Sequence, residues 1–320
     1  SASTVGQAIE DLVAQDYPNM EIIVQDDVSS DNTVTIAKLY ARRHGGIQVR
    51  QNDVNVGEWR NLCRAIEQSD ADFIFWACPG DSWTKNYVTA LVDRLSASPS
   101  AVGAQSSVLH IDEETRKTID TMMFAGLSIP DNLPYHRLAR EILIKPRGGK
   151  DQRPHYSQII AGLLDRNALL AALKSFDGIG PVLNERQVLC QLALTGRPMV
   201  SIPAPLILRE RHNKPTGVRI PYDSSRKGSK NSWIYFVQAG TGILRSSLRS
   251  KTVPLSHKFY VPLMVFEYIL RNYRHMAYIR LVALLRLILP PKLYGLLRKI
   301  VGTFLRIFGG ASGLIRHNRQ

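Results

Sequence analysis

The sequence predicts an α/β protein in which a mostly parallel sheet is flanked by helices, followed by a helical amphipathic tail. An apolar run, residues 21–25, leads into Asp26 and Asp27 and then into a Ser/Asp/Asn cluster, as a buried parallel strand leads into a helix. Short apolar strands then alternate with helical patterns over residues 1–110. From residue 251 onward, apolar runs are interrupted by single cations.

The first 110 residues supply the alternation of helices and strands. The turn residues Tyr17-Pro18-Asn19 and Gly45-Gly46 end the first two helices, and Ser30 or Asp31 can cap the second. Helical patterns cover 5–13, 33–44, 62–66 and 88–95, the predicted strands are 21–25, 47–50, 73–76 and 101–109, and loops lie at 52–57 and 77–83.

The following segments are less regular. Residues 111–156 are polar and rich in Pro and Gly, which indicates a mobile active-site loop. Residues 216–250 are also polar, with a centre rich in Ser, Arg and Lys, and are predicted to link to the tail. Between them, helices are predicted at 159–173 and 186–195, and a short strand at 200–202 precedes a basic loop at 209–214.

Composition narrows the class of protein. Over 320 residues, 44% are hydrophobic and 21% charged, as in globular proteins. The three cysteines show no CxxC spacing, so a reducing cytosol is favoured over a disulfide framework or a zinc knuckle. No apolar stretch reaches the length of about 18 residues that a spanning helix needs. The first residues, SASTVGQ, show no features of a signal peptide.

Several enzyme classes lack their motif. The chain contains no GxGxxG after a strand and no Walker A sequence, so a dehydrogenase or an NTPase is not indicated. The eight histidines show no HExxH spacing, and no GxSxG elbow is present. The remaining chemical signal is therefore the set of acidic residues at the predicted strand ends.

Three blocks in order resemble a known family. QDYPNMEIIVQDDVSSDNT, NVGEWRN and FIFWACPGDSW are similar to family 2 glycosyltransferases, which have the GT-A fold, and the resemblance covers roughly residues 1–212. It implies transfer of a sugar from a nucleotide diphosphate sugar to an acceptor hydroxyl, usually with inversion. It divides the chain into a nucleotide-sugar-binding half (1–110), an acceptor-side half (111–215), and a linker with a basic amphipathic helical tail (216–320).

Members of this family begin with an apolar strand that precedes the first helix found here. That strand lies inside the sheet. We therefore expect that the sequence is trimmed or incompletely recorded at its N-terminus.

The resemblance assigns nucleotide contacts to the first two blocks. Asp26 and Asp27 match the paired acids of the family, of which the second contacts the nucleotide base; alternatively, one of the pair caps the next helix. A glycine lets backbone approach a ligand, and an arginine at a helix start can hold a diphosphate, although a solvated arginine is the alternative. The family's N-x-G-x-x-R-N loop is matched by Asn55, Gly57, Arg60 and Asn61.

The third block departs from the family pattern. Members usually carry Asp-x-Asp, whose acids hold Mg²⁺ or Mn²⁺ between the two phosphates. Here the sequence reads Pro79-Gly80-Asp81, so only Asp81 matches as a metal ligand. Either one carboxylate suffices to hold the ion, or metal use is weakened or lost; alternatively, Asp81 only caps the following turn.

The acceptor-side half contributes one acid and several bases. Glu185 matches by position the family's general base, which takes the proton of the acceptor hydroxyl. An acid that only stabilises a helix N-terminus is the alternative. Arg209, Arg211 and His212 resemble the basic residues that the family places near the phosphates, and a solvated charge run is the alternative.

The tail indicates a location at a membrane surface. From Lys251 onward, twelve Lys or Arg face one acid, so this segment carries +11 of the net charge of +14. The apolar runs within 259–308 suit a helix lying in an interface with anionic lipids. A helical lid on the catalytic domain or a homo-oligomer contact is the alternative. Nucleic acid is not indicated, because the cations alternate with Leu and Ile and no recognition module is present.

Together these observations predict a cytoplasmic glycosyltransferase, peripheral on the cytosolic membrane face, that builds a surface polysaccharide or glycolipid on a glycan or lipid-linked acceptor. Two other classes stay open. One is a catalytically silent GT-A-like binding or scaffold subunit, which Pro79 suggests. The other is a basic protein that binds membranes or nucleic acid and whose sheet is incidental.

Overall fold

The computed structural model describes residues 2–78, 80–112, 117–122, 135–144, 162–175, 185–211 and 232–271. The helices are α1 (Ala2–Val13), α2 (Thr33–Arg43), α3 (Glu58–Glu67), α4 (Tyr87–Ser96), α5 (Tyr135–Ile144), α6 (Arg166–Lys174), α7 (Glu185–Leu194), α8 (Ser232–Arg249), α9 (Leu255–Lys258) and α10 (261–271). The strands are β1 (Ile22–Asp26), β2 (Ile47–Gln51), β3 (Phe73–Ile74), β4 (Asp81–Trp83), β5 (Gly103–Asp112), β6 (Thr118–Met122), β7 (Leu163–Asp165) and β8 (Met199–Arg211).

The strands form two sheets. In one, β1 pairs in parallel with β2. The other has the order β3-β7-β5-β8-β4, with β6 paired to β5. Its long central pair, β5 and β8, is parallel, whereas the other four pairs are antiparallel. The α/β prediction is confirmed, but the prediction of a mostly parallel sheet is wrong for this second sheet. The strands β3, β4, β6 and β7 have two to five residues, too few to carry a periodic signal.

Strand β8 is much longer than the short strand that the sequence predicts. It continues to Arg211, so Arg209 lies in the sheet and not in a basic loop. Pro203 and Pro205 conceal this strand in the sequence, because proline cannot donate to a ladder. The pairing between β5 and β8 shifts register between Ser106 and Val108, next to the pair of Ser107 with Pro205. A bulge there accommodates the prolines.

Four other segments also have a secondary structure that differs from the prediction. Residues 163–165 form β7 and not part of a helix, and residues 81–83 form β4 and not a loop. The polar stretch 111–156 contains β6 and α5, and residues 232–249, predicted as linker, form α8. The division into 1–110, 111–215 and 216–320 stays a prediction.

The helices of the last described segment pack on the helices before them. Gln191 of α7 is buried and donates its amide N–H groups to the hydroxyls of Ser246 and Ser247 on α8. Arg140 of α5 forms a bidentate ion pair with Glu267 of α10, in which Nε donates to Oε2 at 2.6 Å. Residues 232–271 therefore share a core with α5 and α7. None of the helices in the described ranges combines the length and the apolar character needed to cross a bilayer.

Helix α4 lies under the second sheet and positions its edge strand. Tyr87 and Leu91 are fully buried. The ring of Phe75, just after β3, makes edge contacts with Tyr87 and with Trp83 of β4, with ring centroids 5.4 and 5.9 Å apart. This aromatic cluster fixes β4 against the end of β3, and with it Asp81.

We expect Gly103→Ala to destabilise the fold. Gly103 pairs with both β7 and β8, and a Cβ there would lie 2.8 Å from the carbonyl oxygen of Leu163. Backbone cannot yield as a side chain can, so the free energy of unfolding should fall by about 1–3 kcal/mol in urea denaturation. Gly45→Ala is the control, because a Cβ at Gly45 meets nothing within 4 Å. Equal stability of the two variants would contradict the close packing of β5 on β7.

Candidate active site

The end of β1 turns sharply after two carboxylates. Asp26 is buried, and its Oδ2 accepts hydrogen bonds from the backbone N–H of Ser29 at 2.9 Å and from the side chain of Gln51 at 3.0 Å. The first of these closes a turn of the kind that Asp side chains commonly form. Asp26 therefore stabilises the turn that carries Asp27, and its predicted contact with the nucleotide stays a prediction.

Asp27 holds the loop that follows β2. Its Oδ1 accepts from the side chain of Asn52 and from the backbone N–H of Val56, and its Oδ2 accepts from the backbone N–H of Gly57, each at 2.8 Å. The side chain of Asn55 donates to the carbonyl oxygen of Asp27 at 2.9 Å. Gly57 has φ +85, in the left-handed region that glycine adopts at low cost. Residues 52–57 are hereafter the Asp27 loop.

The Asp27 loop is also joined to helix α3. Asn52 is buried, and its amide N–H group donates to Asn61 at 2.8 Å while its oxygen accepts from Arg64 at 2.7 Å. Asn61 in turn donates to the carbonyl oxygen of Gln25 in β1. The structure therefore brings Asp27, Asn55, Gly57 and Asn61 together, as the family resemblance implies. The structure adds Asn52 and Arg64 to this group, and the sequence analysis did not identify either residue. The one signal in the sequence is that Asn52 directly follows β2.

The surroundings of Asp27 favour its ionised form. Burial alone would raise the pKa of this carboxyl, but the hydrogen bonds from Val56, Asn52 and Gly57 and the positive charge of Arg64 outweigh it. The pKa of Asp27 is accordingly lowered from its ordinary value of 3.8. A carboxylate can accept about four hydrogen bonds, and donors in the described part of the chain supply three.

Val28 follows in an unusual backbone conformation. It has φ +65, and it is the non-glycine residue with positive φ in the described part of the chain. A β-branched side chain in the left-handed region costs free energy, of the order of 1 kcal/mol or more. The side chain is exposed, so core packing does not demand this conformation. The strain lies in the turn that follows Asp27.

An aromatic contact connects the Asp27 loop with the segment around Asp81. Trp59, in the first turn of α3, meets Trp76 edge-on, with ring centroids 5.7 Å apart. Arg60 is the next residue and is exposed. Trp76 belongs to the segment between β3 and β4, so the contact joins the start of α3 to the segment that leads to Asp81. A common site for Asp27, Arg60 and Asp81 stays a prediction.

The carboxylate of Asp81 is bound by an arginine. Nε of Arg209 donates to Oδ1 at 2.5 Å, and Nη2 of Arg209 donates to Oδ2. The side chain of Asp81 is 5% exposed and that of Arg209 21% exposed. The register of β4 and β8 places the two residues directly opposite each other. Burial raises the pKa of the neighbouring Tyr87, and the negative charge of Asp81 adds to that shift.

The remaining predicted site residues are described less fully. Glu185 is the first residue of α7, at the helix start that the resemblance implies, and its side chain is not among the described ones. His212 lies outside the described residues. The catalytic role of Glu185 and the phosphate contact of His212 stay predictions.

A divalent cation does not fit the described residues. Pro79 and Gly80 supply no side-chain ligand, and both oxygens of Asp81 already accept hydrogen bonds from Arg209. No group of three or more His, Cys, Asp or Glu residues that could hold a metal ion occurs within the described ranges. Mg²⁺ and Mn²⁺ prefer several oxygen ligands, and one engaged carboxylate does not provide them.

The fold and the arrangement of the strand ends define an α/β protein of the GT-A class, and comparison with known proteins identifies the family. The family model described as Glycosyl transferase family 2 matches residues 1–160. The chain belongs to this family. The matched segment contains the Asp27 loop and Asp81, so the first half of the site lies within it.

One relative and two solved structures show the extent of the similarity. The chain is 35% identical over 72 residues to EpsE of Bacillus subtilis (strain 168), a protein named as a glycosyltransferase; the match covers 22% of this chain and 26% of EpsE. S. aureus TarS 1–349 in complex with UDP-GlcNAc has a TM-score of 0.56 at 14% identity, covering 85% of this chain and 69% of TarS 1–349. The mannosyltransferase PcManGT from Pyrobaculum calidifontis, in complex with GDP-Man and Mn²⁺, has a TM-score of 0.50 at 13% identity, covering 96% and 78%. The predicted GT-A fold is confirmed.

We expect Asp27→Asn to destabilise the protein, because an amide has one acceptor oxygen where the carboxylate has two. The free energy of unfolding should fall by about 1–3 kcal/mol in urea denaturation at neutral pH. Asp53→Asn is the matched control, since Asp53 is exposed in the same loop.

The same interaction makes a pH prediction. The pKa of Asp27 is lower in the folded than in the unfolded protein, so its contribution is fully present above the unfolded value of 3.8 and is lost as pH falls through the folded pKa. The stability gap between wild type and Asp27→Asn should therefore narrow in acid. A gap that is constant down to strongly acidic pH would contradict the role of the charge.

Proposed function

We propose that this protein is an inverting glycosyltransferase that moves a sugar from a nucleotide diphosphate sugar to an acceptor hydroxyl. The observation that carries the proposal is the ionised carboxylate of Asp27, held by three hydrogen bonds at the end of β1. In this proposal a base N–H or a ribose hydroxyl donates a further hydrogen bond to it. Membership of glycosyl transferase family 2 over residues 1–160 supports the same chemistry.

The Asp27 loop offers room for the rest of the donor. A side chain at Gly57 would meet no heavy atom within 4 Å, so a ligand can approach the backbone there. Helix α3 begins at Glu58, and the exposed Arg60 in its first turn is a natural partner for a diphosphate because the helix start adds partial positive charge. In this proposal Asp27 binds the nucleoside and Arg60 a phosphate oxygen.

Glu185 is the proposed general base. Its carboxylate removes the proton of the acceptor hydroxyl as that oxygen bonds to the anomeric carbon of the sugar. The bond from the anomeric carbon to the diphosphate breaks in the same step, and the nucleoside diphosphate leaves with the bonding pair. Attack from the face opposite the leaving group inverts the anomeric configuration. The position of Glu185 at the start of α7 supports this role.

The class of donor also draws support from the similar proteins. TarS and PcManGT were solved with UDP-GlcNAc and GDP-Man, respectively, both nucleoside diphosphate sugars. The match to EpsE covers only 26% of that protein, so the activity and the substrates assigned here are proposals for this chain.

We expect Glu185→Gln to lower sugar turnover by about 100-fold or more with little change in donor affinity. The measurement is calorimetry with a panel of nucleotide diphosphate sugars, followed by donor hydrolysis and transfer assays, with product configuration read by NMR. Glu67→Gln is the control, because Glu67 forms an ion pair with Lys174 in which both side chains are about half exposed. Undiminished turnover in Glu185→Gln would remove Glu185 from this role. Donor binding by wild type without turnover would favour a silent binding subunit.

We propose further that the protein docks on an anionic membrane surface through an exposed apolar stripe. The residues of the stripe recur at helical spacing along α9 and α10 and point away from the core: Leu255, Phe259, Leu263, Phe266 and Leu270. Phe259 is 80% exposed and Phe266 64% exposed. The opposite face of α10 is buried, with Val261 and Met264 fully covered. Helix α10 therefore has two apolar faces, and within the described residues only one of them is buried.

Cations border this stripe. Arg249 and Lys251 are exposed at the end of α8, and Lys258 donates to the carbonyl oxygens of Leu248 and Ser250, which brings α9 next to them. Apolar side chains that insert between headgroups, with cations at headgroup level, suit an anionic lipid surface better than a neutral protein partner. A lipid-linked or surface glycan acceptor at the cytosolic face of the membrane fits this arrangement.

We expect the double variant Phe259→Ser/Phe266→Ser to lose vesicle binding by about tenfold or more, because two buried aromatic side chains contribute several kcal/mol in sum. Co-sedimentation with phosphatidylcholine vesicles, with and without phosphatidylglycerol, measures this. Leu39→Ser on α2 is the control, since Leu39 is exposed outside the stripe. If wild type does not bind anionic vesicles but forms dimers that the double variant abolishes, the stripe is a contact between copies.

A further inference from the structure

The connection between β3 and β4 contains no carboxylate before Asp81. Residues 75–80 read FWACPG, and Asp81 opens β4. Its backbone N–H donates to the carbonyl oxygen of Cys78 at 3.1 Å, so the turn that leads into the strand is closed by backbone. A metal ion that bridges two phosphates would have to be held here by a single acid.

That acid is already neutralised by a cation of the chain itself. The guanidinium of Arg209 bonds both oxygens of Asp81 through Nε and Nη2, in the bidentate geometry that gives strong, directional pairs. The pair is largely buried, with Asp81 the more so. A metal ion could reach these oxygens only by displacing Arg209 and leaving a charged guanidinium in a mostly buried position, which is unfavourable.

The sheet fixes this arrangement. Asp81 of β4, Arg209 of β8 and His110 of β5 occupy neighbouring register positions on three adjacent strands. Paired positions project from the same face of a sheet. His110 is fully buried, so protein packs against one side of Arg209 and Asp81 holds the other. The side chain of Arg209 keeps 21% of its surface exposed.

We propose that Arg209, positioned by Asp81, neutralises the diphosphate of the donor in place of a bound divalent cation. The inference rests on the proposed function. A divalent metal ion held by two carboxylates has a formal net charge of zero, and so has a guanidinium held by one carboxylate. The Arg209–Asp81 pair can therefore present a cation to the diphosphate with the same net charge as a metal site. Arg209 contacts a phosphate oxygen and stabilises the charge that develops on the departing nucleoside diphosphate. Asp81 is a positioning residue.

The first test needs no variant. Donor turnover by the full chain should agree within about twofold in excess EDTA and in added Mn²⁺ or Mg²⁺, since no ion takes part. In electron paramagnetic resonance, the signal of free Mn²⁺ should be unchanged when the protein is added. Turnover that EDTA abolishes and Mn²⁺ restores overturns the inference, and so does stoichiometric Mn²⁺ binding that Asp81→Asn removes.

A paired variant tests the arginine. Removing Arg209 alone would leave a buried carboxylate without its cation, so the pair is replaced together in Asp81→Asn/Arg209→Met. We expect this variant to retain a cooperative thermal transition and to lose turnover by about 100-fold or more, with no rescue by Mn²⁺. The matched control is Arg140→Met/Glu267→Gln, which removes a bidentate pair between α5 and α10. Turnover that is unchanged in the Asp81→Asn/Arg209→Met variant overturns the inference.

The proposed function and this inference fail in different ways. If calorimetry detects no binding of any donor in the panel, the proposed function fails and the inference fails with it. If donors are bound and turned over only with Mn²⁺, the proposed function stands and the inference alone fails.

Discussion

The carboxylate of Asp27 is the interaction on which the first half of the site depends. It accepts backbone N–H groups from Val56 and Gly57, directly before α3 begins, so one side chain at the end of β1 sets both the path of the Asp27 loop and the start of that helix. Backbone N–H groups that are shielded from water need a hydrogen-bond acceptor, and one ionised side chain serves both of these groups. Only one side chain has to be ordered for this purpose, so the loss of conformational entropy is small. Residues 28 and 57, with positive φ, are the backbone adjustments that this arrangement requires.

The second half of the site is built on strand pairing. Strands β4 and β8 are far apart in sequence, and their register places Asp81 opposite Arg209. An ion pair that is largely buried is favourable only when both partners are held in good geometry. The sheet backbone and the aromatic cluster around Phe75 hold Asp81 and Arg209 in that geometry. The fold therefore forms this ion pair without a ligand.

Helices α8 to α10 pack on α5 and α7 with one face and expose apolar side chains on another. Hydrogen bonds from Gln191 and the pair of Arg140 with Glu267 attach α8 and α10 to α7 and α5. The same helices present the exposed apolar stripe outward. The exposed stripe therefore lies on helices that share a core with α7, the helix that begins at Glu185.

The sequence by itself determined the α/β class, because contiguous apolar runs mark the helices and strands. The resemblance of its motifs to family 2 glycosyltransferases implied the family and the grouping of Asp27 with Asn55, Gly57 and Asn61. The sequence did not reveal β4, β7 or the full length of β8, whose short or proline-containing segments carry no periodic signal. Only the tertiary structure decided that Arg209 bonds Asp81, since the two are 128 residues apart in sequence. Periodicity reports which face of an element is buried, whereas the partner of a buried charge is fixed by strand register, and register depends on the whole sheet.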